Sequence, residues 1–135
     1  MDAAQALADL TEISSQIEAA VLFSGDGSVQ GSTLGDDGAS AELARGAVEL
    51  LESAGGFRSD GAAVVTQLEA STPEGSVFVV RVAETGIVAL TGPQPTVGLV
   101  FYDLKSALRS AGEPAKPRRR RRTAPQTEES GGDAA

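Results

Sequence analysis

Residues 36–54 read DDGASAELARGAVELLESA, and this stretch decides the fold. At about 100° per residue, Ala39, Leu43, Gly46, Ala47, Val48, Leu50, Leu51 and Ala54 sweep an apolar arc of roughly 200°. Glu42, Arg45, Glu49, Glu52 and Ser53 are left as a narrow polar stripe. A helix lying on one sheet needs less apolar width than this, so the spacing predicts a helix with two interfaces. Half of the arc covers the sheet of its own domain. The rest, built on small Ala and Gly with Val48 and Leu51, faces water unless a second helix covers it. Asp36, Asp37 or Ser40 can cap the helix start, where carboxylates also suit the positive end of the dipole, and Gly55-Gly56 ends it.

Toward the N-terminus, Ala3, Leu7, Leu10 and Ile13 recur at spacings of three and four, which predicts an amphipathic helix over residues 2–15. Residues 17–23 are apolar at nearly every position and predict a strand buried on both faces. Gly25-Asp26-Gly27 reads as a hairpin turn of type I′, with positive φ at both central residues. The polar residues 28–34, which include Gly31, form the returning strand at a sheet edge.

Toward the C-terminus, residues 62–70, 76–83 and 86–92 read as three strands. The links between them, 71–75 and 84–86, are too short for crossover helices, so the three form an antiparallel meander. Val77 to Val80 and Ile87 to Leu90 are apolar in succession and should be covered on both faces. Gly92-Pro93-Gln94-Pro95 stops the last strand. Val97, Val100, Phe101, Leu104 and Leu108 then recur at helical spacing, with Lys105 and Arg109 near the negative end of the dipole and Gly112 and Pro114 closing the helix.

The order is helix, two strands, helix, three strands, helix. Doubly buried antiparallel strands require an α/β/α sandwich, here a five-stranded antiparallel sheet with the central helix on one face and the terminal helices on the other. A chain of 135 residues with 41% apolar content suits one such domain, residues 1–112. Residues 113–135, rich in Pro, Arg, Glu, Ser and Gly, read as a disordered tail.

Composition narrows the chemistry. Cys and His are both absent, so thiolate nucleophiles, imidazole bases, disulfides and the usual zinc ligands are excluded. Asp26 lacks the alternating Asp or Asn partners of a calcium loop, Asp36-Asp37 reads as a helix cap, and no glycine-rich stretch ends in Gly-Lys-Ser or Gly-Lys-Thr. Neither catalytic residues nor a cofactor or metal site are expected. A pocket for a small ligand has little support either, with no Trp and Tyr102 the single Tyr. No apolar run nears the roughly 20 residues of a spanning helix and the N-terminus lacks a leader pattern, so a cytoplasmic protein is the expectation.

The net charge of −8 is unevenly placed. Only Arg45, Arg58, Arg81, Lys105 and Arg109 precede Glu113, so the body is acidic, whereas Lys116 and the run Arg118, Arg119, Arg120, Arg121, Arg122 are concentrated in the tail. The body would repel nucleic acid, leaving only the tail to attract it. The arginine run reads as a solvated, inert tail, as a weak contact with an anionic membrane, or as a dock for an acidic partner or nucleic acid, with a salt-sensitive contact with the acidic body itself as a fourth alternative. Arg58, in a glycine-flanked loop, is the body's candidate partner contact.

The segments Val21-Leu22-Phe23-Ser24-Gly25-Asp26-Gly27-Ser28-Val29 and Val97-Gly98-Leu99-Val100-Phe101-Tyr102-Asp103-Leu104, with the element order, resemble the Roadblock family, related to dynein light chains and to bacterial regulators of small Ras-like GTPases. The resemblance implies a homodimer, or a heterodimer with a relative, in which central helices pack together and third strands join two sheets. On this sequence the contact falls to Ala44, Ala47, Val48 and Leu51 of the helix and to residues 62–68 of the strand, Ala63, Val64, Val65 and Thr66 among them. It also implies a non-enzymatic adaptor that binds a small Ras-like GTPase through a composite dimer surface. The alternative is an interaction module that works through its basic tail.

Overall fold

The structure, a computed structural model, describes residues 2–57 and 66–112. Arg58, the 62–65 part of the expected third strand and the tail from 113 onward lie outside the described residues.

The chain runs α1 (Ala3–Ile13), β1 (Ile17–Ser24), β2 (Val29–Ser32), α2 (Asp37–Gly55), β3 (Gln67–Thr72), β4 (Gly75–Val82), β5 (Thr85–Thr91) and α3 (Val97–Gly112). Both of the first two helices begin at an aspartate cap. Asp2 Oδ1 accepts from the Gln5 N–H at 2.9 Å, and Asp36 Oδ1 from Gly38 and Ala39 at 2.8 and 3.2 Å, which satisfies donors that a helix start leaves bare. The start of α3 is tied to the link between α1 and β1 instead, through Gln16 Oε1, which accepts from the Thr96 N–H at 2.6 Å.

The five strands form one antiparallel sheet in the order β2-β1-β5-β4-β3. The hairpin and the meander read from the sequence are thus joined through β1 and β5. This pairing puts the three most apolar strands in the middle, where both faces can be covered. On one face α1 and α3 pack with each other over Leu22, Phe78, Val80 and Ile87, and Phe78 and Phe101 meet edge to face at 5.0 Å and 76°. On the other face α2 packs alone over Val21, Phe23, Val79 and Val88. The expected allocation of helices to faces is therefore what the fold shows.

Three local expectations are corrected. At residues 24–28 only Gly27 has positive φ, at 91°, so the turn is not type I′. The Gly27 N–H donates to the Ser24 carbonyl and the Ser24 N–H to the Ser28 carbonyl, giving a three-residue loop in which glycine alone takes the left-handed position. Asp26 therefore keeps negative φ and turns its side chain back into the loop. Among the described residues β3 continues to Thr72, and the turns fall at Pro73-Glu74 and Ala83-Glu84. Strand β2 covers only Val29–Ser32, with Gln30 left unopposed between the Leu22–Gly31 and Phe23–Val29 pairs, and just past its end the Ala20 N–H donates to the Thr33 hydroxyl instead of a backbone carbonyl.

Candidate interaction surfaces

The buried side of α2 consists of Ser40, Ala44, Ala47, Leu51 and Gly55. Ala44, Ala47 and Leu51, expected in the contact with a second helix, are 2% exposed or less and pack in the chain's own core. This is a correction with a steric cause. Small residues let the helix settle close over the bulky Phe23, Val21, Val79 and Val88, so the alanine side of the arc faces inward. A second molecule could not reach those side chains without opening the core. Val48, the fourth expected contact, is only half-buried.

The outer part of the arc is only partly covered, Leu43 resting in part against the core. Ala39, Leu43, Gly46, Leu50 and Ala54 follow one another at spacings of four, three, four and four, a row turned by about 100° from the buried side. Ala39 is exposed, Leu43, Gly46 and Ala54 are half-buried and Leu50 is 40% exposed. A Cβ built on Gly46 would meet nothing within 4 Å, so the middle of the row is open. Just past the helix, Phe57 is 89% exposed. Glu42, Arg45, Glu49 and Glu52 edge the stripe with charge.

The sheet offers a second surface. Strand β3 pairs with β4 and lies at the end of the sheet, so among the described residues its other edge is unpaired. Leu68 and Val77 on this flank are only partly buried against the α2 core. Thr66 is exposed just ahead of the strand, and its carbonyl accepts from the Arg81 N–H at 2.8 Å. Ala63, Val64 and Val65 lie outside the described residues, as do Arg58 and Arg118 to Arg122.

Helix α3 separates two further grooves of unlike charge. The one toward β4 and β5 is mostly apolar and carries Arg81, Lys105 and Arg109 with Glu84. The one toward α1 carries Asp9 and Asp103 beside Tyr102 and Ile13. Neither was read from the sequence: Asp103 and Lys105, two residues apart, fall about 200° apart on the helix, but only the packed positions of α1 and of β4 and β5 show what each side faces.

Asp36 caps the start of α2, Asp37 lies in its first turn, and Asp26 serves the β1–β2 turn. The Asp26 carboxylate accepts from Ser24 Oγ at 2.7 Å and the Ser28 N–H at 2.9 Å, and these bonds, Ser24 first, hold its pKa down at about 2. Among the described residues no three Asp or Glu side chains are grouped to hold a metal ion, and no helix is long and apolar enough to cross a membrane.

The described residues thus form a three-layer sandwich with one face covered by a single helix and with the outer edge of β3 unpaired among them. Comparison with known proteins makes this architecture more particular. No family model matches the sequence and no curated protein matches it. Among solved structures the chain is similar to the Roadblock/LC7 domain from Streptomyces avermitilis, at 24% identity and TM-score 0.70 over 82% of this chain and 94% of that one. It is similar to the gliding protein MglB from Thermus thermophilus, at 14% identity and TM-score 0.67 over 81% and 84%. A third similarity is to an MglB in a tetrameric arrangement, at 16% identity and TM-score 0.58 over 79% and 85%. The fold of this chain is that of the Roadblock/LC7 domains, in agreement with the resemblance carried by residues 21–29 and 97–104.

Proposed function

We propose that the chain is a dimeric, non-enzymatic adaptor or regulator that binds a small Ras-like GTPase in the cytoplasm, through a surface to which both protomers contribute. The observation that carries this reading is the row Ala39, Leu43, Gly46, Leu50 and Ala54, only partly covered by the chain itself, with Ala39 and Leu50 exposed and Leu43 resting in part on the core, on a helix that already covers its own sheet. Small residues at Ala39, Gly46 and Ala54 allow close approach, while Leu43 and Leu50 supply the area removed from water. Two copies, or this chain and a relative, would pair α2 with α2 along this row, with residues 63–66 and β3 joining the two sheets at the edge. The Roadblock/LC7 fold and its occurrence in an MglB with tetrameric arrangement support self-association, and the resemblance to bacterial regulators of Ras-like GTPases supports the partner class.

Regulation requires unequal affinity for the two nucleotide states of the partner, since a ligand that binds both equally shifts nothing. The test is a titration of the full chain with a purified small Ras-like GTPase encoded beside it, loaded with GDP or with a non-hydrolysable GTP analogue. A preference of about tenfold for one state is expected, which corresponds to about 1.4 kcal/mol of coupling. Equal affinities would leave a scaffold, and binding to neither state would overturn the proposal.

A further inference from the structure

Between the second half of α3 and the β4–β5 hairpin lies a groove of about 930 Å3, far more than a single anion fills. Val80 and Leu108 form its buried floor, and Val82, at the end of β4 where α3 no longer covers the strand, is 58% exposed. Above that floor Lys105 and Arg109, both exposed, stand one turn apart on α3, about 6 Å along its axis. Arg81 borders the groove beside Thr66, to whose carbonyl its N–H donates at 2.8 Å, and Glu84 adds a carboxylate at the hairpin end. Of the cations among the described residues, only Arg45, on α2, lies elsewhere. In a body dominated by carboxylates, positive charge and uncovered apolar surface therefore coincide here.

We infer that this groove docks an acidic amphipathic helix of a partner protein. Its apolar side would lie on Val82 and on the aliphatic stems of Lys105 and Arg109, with its carboxylates against their charged ends. Charge and shape decide between occupants. A lipid surface or a nucleic acid would bring the rest of the acidic body against its own negative charge, whereas a single helix enters the groove and meets only the cationic wall. Strand addition is closed, because β4 already pairs with β3 on one side and β5 on the other. Side chains alone are left to make the contact. The groove takes no residue from α2, so it is a second face of the molecule and does not rest on the pairing proposed above.

The probe is a fluorescein-labelled synthetic helix, Glu-Glu-Leu-Leu-Glu-Glu-Leu-Leu-Glu-Glu-Leu, titrated with the full chain and followed by anisotropy. At low salt wild type should bind it about tenfold more tightly than the double variant Lys105→Gln, Arg109→Gln, and about threefold more tightly than Val82→Ser, which keeps every charge. All three side chains are exposed, so the substitutions leave the core intact and circular dichroism should not change. Near 1 M salt, where the screening length falls to about 3 Å, the effect of the double variant should fade while that of Val82→Ser remains. The tenfold difference should persist, to about the same size, when Arg118 to Arg122 are all serine, which separates the groove from the basic run. Equal affinity in wild type and the groove variants, or binding that is lost with the arginine run alone, would overturn the inference. So would retention on phosphatidylserine vesicles that depends on Lys105 and Arg109 while the helix fails to bind, which would make this face a membrane contact.

Discussion

The ring of Phe23 on β1 fills the space over Gly86, its cross-strand partner on β5, so closely that a Cβ on Gly86 would stand 2.4 Å from Phe23 Cζ. Phe23 is one of the largest side chains fully buried under α2, and the bare glycine lets it lie there. Gly86→Ala should therefore cost about 2 kcal/mol, because the ring must leave its place in a packed core. The urea midpoint should fall while the slope stays unchanged. An unaltered midpoint would mean that the ring has room to move.

Asp26 supplies a pH dependence with a definite sign. Its carboxyl is lowered from 3.8 to about 2 by the Ser24 hydroxyl and the Ser28 N–H, so between those values the unfolded chain binds the proton and the folded chain does not. The stabilisation is complete above pH 3.8 and disappears as pH falls toward 2. A carboxyl NMR titration should place the Asp26 midpoint near 2, and Asp26→Asn should remove this part of the acid sensitivity. A midpoint near 3.8 would show that the turn bonds do not persist in solution.

Ala83, at the β4–β5 turn, has a φ of 55°, a region in which a side chain crowds the backbone. Ala83→Gly is expected to stabilise the fold by about 1 kcal/mol, visible as a higher urea midpoint. Loss of stability there would contradict the backbone geometry at the turn.

These three sites show where reading the sequence reached its limit. The order of elements, the two-faced burial of β1, β4 and β5, and the placing of α2 opposite α1 and α3 were all legible, because apolar periodicity and loop length report them directly. The pairing of β1 with β5 was not, since it joins strands more than sixty residues apart and leaves no local signal. Nor could Phe23 be matched to Gly86 before that register was known. For the same reason the arc on α2 was visible in full, yet its inner and outer halves were exchanged. Ala44, Ala47 and Leu51 looked as fit for a neighbour as Leu43 and Leu50 until the bulk of Phe23 and Val88 beneath them was placed.

On the outer row of α2, fold and association should separate under mutation. Gly46→Ala should stabilise the chain by about 0.5–1 kcal/mol through helix propensity, since the added methyl meets nothing in the single chain. The same methyl would sit between two closely packed helices and should weaken pairing. Thermal unfolding at low concentration and the dissociation constant from dilution, measured on the same variant, should move in opposite directions. Improvement in both would place the contact elsewhere.

Sedimentation equilibrium of the full chain at tens of micromolar tests the central claim most directly. A dimer built on Leu43, Gly46 and Leu50 predicts twice the chain mass of 13.7 kDa, reverting to that single mass in Leu50→Glu with the circular dichroism unchanged. Wild-type protein that sediments at 13.7 kDa, or a Leu50→Glu variant that stays paired, would contradict it.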